Sequence, residues 1–298
     1  MTKRIKIILL LISSIIFILI AWKSIGNYRQ ELKFESFNDD YYNLLSTNPK
    51  TNLESDNVDY GNMSLIHNNK SVPVLMYHSI RTQKNNPYMV SPARFDKDMQ
   101  YIHDNGFTTL STEELYDFMV YNKPIPKKSI LITFDDGYED NYTNAFPILK
   151  KYNIKATIFI ITDYVDKGKQ YLSSAQLKEM ESNGIDIESH TYRHDKLATY
   201  DYYEQLNTLK ASKEFIEKTL DKKVNFISYP FGSYNIDTLK ALKEAGYEMA
   251  FTTDGRWANK SNGILTLNRV FISGFHRNTS FKTRVRHSWY IAKYLYFW

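Results

Sequence analysis

The chain has 298 residues, 43% hydrophobic and 24% charged, which is enough to bury a sizeable core and too apolar for general disorder. It contains no cysteine, which removes disulfides, thiolate metal sites, a cysteine nucleophile and a lipidated cysteine together. The net charge of +5 is terminal: residues 1–30 and 277–298 carry five cations each and no acid, so 5 − 10 leaves the body at −5 and argues against a nucleic-acid partner.

The first predicted element lies in "MTKRIKIILLLISSIIFILIAWKSIG". A basic cluster precedes Ile7–Trp22, a largely apolar run without an ionisable residue. Residues 1–26 therefore read as a signal peptide or a membrane-anchor helix. Bulky Trp22 and Lys23 stand where a small-residue cleavage site would follow, which favours an uncleaved single-pass anchor with the body outside the cell membrane. Cleavage would instead leave a secreted, surface-associated protein. Residues 27–71 are rich in Asn, Ser and Asp and read as an extracytoplasmic linker, with one short helix near Tyr41–Leu45.

From Val72 to about residue 276, short apolar runs alternate with helical patterns. "VPVLMYH" reads as a strand; a helix follows with Ser91 as N-cap, Pro92 at its first position and Gly106 closing it. "FTTLS" is a strand, and Ser111 to Glu114 has capping-box spacing. The alternation continues through "SILITF", "NAFPILKKYN", "KATIFII", "SSAQLKEMESNG", "IDIES", a helix over 202–220, "VNFIS", "NIDTLKALKEAG", "EMAFT" and "LNRVFI". This order predicts an α/β fold with a mostly parallel sheet, either a barrel or an open doubly wound sheet. In both, functional groups gather at the C-terminal strand ends.

The residues just after each predicted strand fit that expectation. They are His78, Asp135 with Asp136, His190 with His194, and Tyr229, Pro230, Phe231 and Gly232. Two imidazoles and a carboxylate with positions left open form the ligand set of a catalytic divalent metal, expected to be zinc. A cation would also make adjacent ionised aspartates tolerable, one ligating and the other free to take a proton.

"TFDDGY", "SHTYRH" and "YPFG" together resemble the first three motifs of the polysaccharide deacetylases of carbohydrate esterase family 4, the NodB homology domain, over about Val72 to Ser273. The resemblance implies an irregular (β/α) barrel and a hydrolase that removes N-acetyl groups from an amino sugar. It implies Asp135 as general base, Asp136, His190 and His194 as metal ligands, and the backbone N–H of Phe231 as an oxyanion donor. Two positions depart from the pattern. Ser228 stands where many members place an arginine that tethers the base, and Arg269 stands near where many place a late general-acid histidine; His276 is a poor match.

"PVLMYHSI" resembles the biofilm poly-N-acetylglucosamine deacetylases, in which the late motif sits on the N-terminal strand. That makes His78 the general acid and leaves Arg269 as candidate orienter of Asp135. The expected substrate is a cell-surface N-acetylglucosamine polymer, poly-β-1,6-N-acetylglucosamine, handled by a monomer. Peptidoglycan or chitooligosaccharide deacetylation, and a membrane-tethered glycan-binding module with a vestigial site, are the alternatives. Glu139 and Asp140 read as surface acids. The basic, aromatic tail, residues 277–298, could pack on the barrel, lie on an anionic membrane, or contact glycan.

Overall fold

The computed structural model describes residues 31–47, 60–83, 85–275 and 278–288, with residues 23, 24 and 28. The expected anchor, Ile7–Trp22, lies outside the described residues. Among the described residues no helix is long and apolar enough to cross a membrane.

Strands β2 (Val74–Tyr77), β5 (Ser129–Phe134), β6 (Ala156–Ile160), β7 (Ile185–Ser189), β8 (Phe226–Ser228), β9 (Met249–Phe251) and β10 (Val270–Phe271) form one parallel sheet in the order β10-β2-β5-β6-β7-β8-β9. Short β3 (Thr108–Thr109) pairs with the start of β5. From β2 the sheet advances in one direction, with only the last strand returning to its other side. A doubly wound sheet would reverse near its middle, so the sheet curls into a half-barrel. All six residues of β5 are buried, which is why "SILITF" shows no polar alternation.

Helices α2 (Pro92–Asp104), α3 (Thr112–Tyr121), α4 (Phe146–Lys151), α5 (Ser174–Glu181), α6 (Tyr202–Leu220) and α7 (Ile236–Ala245) cover the sheet. Ser91 caps α2, and Ser111 and Ser173 form capping boxes that start α3 and α5. These satisfy backbone N–H groups that a first helical turn leaves open. The helix expected over "NAFPILKKYN" is divided: a π-helical turn, Asn141–Ala145, precedes α4, with Pro147 at the start of α4. Proline lacks the N–H that would continue the ladder backwards.

Two segments differ more from the sequence reading. The linker reading of residues 27–71 is corrected where the structure describes it. The short helix expected near Tyr41–Leu45 is present but longer and packed: residues 31–47 form one helix, α1, whose Tyr41 is 5% exposed and donates its hydroxyl proton to Tyr247 O at 2.6 Å. Farther on, β1 (Leu65–Ile66) pairs with β4 (Ile125–Pro126) across the barrel floor. The described part of the C-terminal segment, α8 (Asn278–Arg286), packs Phe281 and Val285 into the core. Residues 289–298 lie outside the described residues.

Candidate active site at the C-terminal strand rim

The strand register assembles the rim. Tyr77 lies opposite Phe134, so the next residues, His78 and Asp135, stand side by side. Ser189 pairs with Ile160 on one side and Ile227 on the other, which brings His190 and Ser228 into the same row. His190 Nδ1 is 2.8 Å from Ser228 O and 2.6 Å from Ser228 Oγ.

Backbone strain concentrates here. Asp136, Thr191, His194 and Phe231 all have φ between 59° and 76°, a region non-glycine residues seldom occupy. Such conformations persist where surrounding structure imposes them, commonly at functional sites. Gly137 shares the tendency at φ +70°, and a Cβ there would lie 2.9 Å from Ile160 Cγ2. The aspartate pair is thereby splayed, so its two carboxylates meet different partners.

Asp136 Oδ1 faces His190 Nε2 at 3.4 Å and His194 Nε2 at 3.3 Å. Neither approach has hydrogen-bond geometry, and among the described residues this buried oxygen has no hydrogen-bond partner. Two ligands about 2.0–2.1 Å from a tetrahedral ion stand about 3.3 Å apart, so the spacing suits a shared cation. The residues present therefore fit a divalent metal. Burial alone would raise the Asp136 pKa, but His190, His194 and His78 outweigh it and hold the carboxyl well below its ordinary range.

Asp135 has a separate environment. Arg269 Nη1 donates to its Oδ1 at 2.7 Å and Nη2 to its Oδ2 at 2.7 Å, while Ser228 Oγ donates to Oδ1 at 3.1 Å. Burial opposes ionisation, but the charge of Arg269 and those of His190 and His78 outweigh it and lower the pKa. Arg269 Nε donates to Thr252 O at 3.0 Å, fixing the guanidinium plane. The strand expected at "LNRVFI" narrows to β10, leaving Arg269 just before it.

His78 is flanked edge-on by Tyr88 at 5.0 Å and Phe271 at 5.9 Å, and among the described residues its Nδ1 has no hydrogen-bond partner. In the turn Tyr229–Gly232, the Phe231 ring is 45% exposed and lies 4.5 Å from the His194 ring. Tyr229 and Pro230 are buried behind it, with Tyr229 donating to Leu265 O at 2.7 Å. Gly232, at φ +65°, has no room for a side chain against Thr253.

Three residues escaped sequence reasoning. Ser228 was read only as a missing arginine, yet it bridges His190 and Asp135. Tyr138, within the quoted "TFDDGY", stacks on Tyr171 at 5.5 Å beside Asp136; burial, then that carboxylate, raises its pKa. Asp140 is not a surface acid: it accepts from Ser79 Oγ and Ile80 N, both at 2.7 Å, and so ties the loop after β2 to the loop after β5.

A family model described as polysaccharide deacetylase matches residues 122–250. YxkH of Bacillus subtilis, named for the polysaccharide deacetylases, is 41% identical over 202 residues, 68% of this chain and 71% of YxkH. The poly-β-1,6-N-acetyl-D-glucosamine N-deacetylase of Staphylococcus aureus is 32% identical over 217 residues, 67% of this chain and 72% of the relative. The solved structure of the Streptococcus pyogenes deacetylase PplD in complex with acetate superposes with a TM-score of 0.70 at 34% identity, covering 73% of this chain and 99% of PplD.

Proposed function

Because this chain belongs to the polysaccharide deacetylase family, we propose that it is a metal-dependent N-deacetylase of a cell-surface N-acetylglucosamine polymer, poly-β-1,6-N-acetylglucosamine. The observation that carries the reading is the paired arrangement of Asp136 with His190 and His194, beside an Asp135 held separately by Arg269. The choice of polymer is supported by the Staphylococcus aureus relative and by a histidine, His78, after the first barrel strand. In this reading residues 1–26 anchor the protein with its barrel outside the membrane.

A divalent cation held by Asp136, His190 and His194 would polarise the acetamide carbonyl and acidify water at the site. Asp135, ionised and restrained by Arg269, takes the proton as water adds to the carbonyl carbon. The Phe231 N–H stands to donate to the oxygen on which negative charge develops. His78 gives a proton to the departing nitrogen, so the C–N bond breaks to acetate and a free amine. Phe231, exposed at the rim, offers a sugar a flat apolar face.

The test is acetate release from purified poly-N-acetylglucosamine, chitooligosaccharides and peptidoglycan, each with added zinc. Release from the first polymer, abolished by a chelator and by Asp135→Asn, is expected. Binding of polymer by the metal-loaded protein without acetate release on any substrate would overturn the enzyme reading.

A further inference from the structure

The opposite face of the half-barrel, at the N-terminal strand ends, holds a second feature that the catalytic reading does not use. A cavity of about 730 Å³ opens between β1, the start of β5, the C-terminal ends of α2 and α8, and Trp257. β5 connects the two faces: Ser129 lines this cavity, and Asp135 lies six residues on, about 20 Å at ~3.3 Å per residue. The cavity is therefore separate from the catalytic rim.

Its walls are apolar, from Ile66, Phe107, Trp257 and Val285, and its rim carries Lys70, Lys127, Lys128 and Arg286. Among the described residues no carboxylate lines it, and none of these four cations has a carboxylate partner. Two of them are held together: Lys128 Nζ donates to Asn105 O and Arg286 Nη2 to Asn105 Oδ1, each at 2.9 Å. Like charges gathered this way repel unless an anion neutralises them. Trp257 spends its N–H on Arg284 O at 2.8 Å, so its remaining ring surface is apolar.

Ser129, at the base of the cavity lining, is 3% exposed, and among the described residues its hydroxyl has no hydrogen-bond partner. A ligand carrying negative charge on an apolar stem matches the rim cations and the apolar wall.

The sequence favours one source for it. Ser288 stands on the rim, and the chain continues as "WYIAKYLYFW", with six aromatic residues in ten and no acid. Tryptophan and tyrosine concentrate at lipid headgroup depth, and juxtamembrane cations attract anionic lipid. We propose that this cavity binds the phosphate headgroup of an anionic lipid, with the rim cations on the phosphate and the Trp257 and Phe107 rings against its apolar stem. The proposal is independent of which glycan is deacetylated.

The test uses the full chain in phosphatidylcholine nanodiscs with or without phosphatidylglycerol, read by amide hydrogen exchange over residues 64–71, 105–108, 127–130 and 284–288. Slower exchange in these four segments is expected only with phosphatidylglycerol. Lys127→Gln with Lys128→Gln, at exposed positions, should weaken the protecting interaction by about 5-fold per charge removed, with unchanged melting. Arg286→Gln provides an independent second variant with the same expected direction. Equal exchange in both discs, or protection indifferent to these substitutions, would overturn the proposal. Equal protection by soluble glycerol phosphate without lipid would assign the cavity to free phosphate esters and overturn the lipid source.

Discussion

Arg269 holds Asp135 by both oxygens at 2.7 Å, with the arginine 0% and the aspartate 2% exposed. A bidentate guanidinium fixes the carboxylate plane as a point charge cannot. Arg269→Lys should therefore lower kcat by about 10- to 100-fold with little change in KM, because polymer binding does not involve this buried group. Arg269→Met leaves a buried unpaired carboxylate and should cost about 3–5 kcal/mol of stability, much of it regained with Asp135→Asn. A double-mutant cycle in chemical denaturation checks the coupling; additive losses would mean that the two residues do not act as a pair.

Ser228 is the second support of the same carboxylate and also the partner of His190. Ser228→Ala removes the 3.1 Å bond to Asp135 and the 2.6 Å contact to His190 Nδ1, but leaves the 2.8 Å contact of Nδ1 with the backbone carbonyl. Outer partners of metal-binding histidines typically contribute 10- to 100-fold in affinity. With the carbonyl retained, a weakening of roughly 10-fold in zinc affinity is expected, measured by competition with a chromogenic chelator. Unchanged affinity would confine Ser228 to Asp135 alone.

The proposed acid gives a pH signature. Burial lowers the His78 pKa from its ordinary 6.5; Asp136 and Asp135 oppose the shift, while Arg269 and His190 add to it. An acid must hold its proton, so the active fraction falls as pH rises through this lowered value. With zinc saturating, the alkaline fall of kcat/KM should begin below pH 6.5, and His78→Asn should remove that limb together with about 10²–10⁴-fold of rate. A His78→Asn profile that keeps the limb would assign it elsewhere.

Much of the candidate site's geometry was legible because the residues it gathers are local in sequence. "TFDDGY", "SHTYRH" and "YPFG" each follow a buried strand, and parallel strands put their C-terminal ends on one rim. Arg269 was legible as the candidate orienter of Asp135 only through two departures from the motif pattern, since the pairing depends on β10 returning beside β2, 134 positions from Asp135. The double role of Ser228 was not legible, because a hydroxyl carries no spacing signal and gains meaning from the β7–β8 register. Asp140 was hidden by its acidic neighbours, which made a buried brace look like solvated surface.

The described part of residues 27–71 was misread because composition outweighed periodicity. Phe34, Phe37, Tyr41 and Leu45 recur at helical spacing within "FESFNDDYYNLL", and all four pack against the core. Tyr41 is buried, Tyr42 donates to Val120 O at 2.9 Å, and Leu265 N donates to Asn38 Oδ1 at 3.3 Å. Phe34 also meets Tyr234 edge-on at 5.6 Å, and Tyr234 stacks at 5.1 Å on Tyr229, which backs the Phe231 turn. Tyr41→Ala should therefore destabilise the protein by about 3–5 kcal/mol, the range for deleting a buried aromatic side chain. In a variant that begins at residue 60, loss of all these contacts should cost at least as much and also slow acetate release at the barrel rim. Thermal melting together with acetate assays below the transition separates the two effects: a shortened chain with wild-type melting and turnover would show that α1 neither stabilises the barrel nor supports its active-site turn.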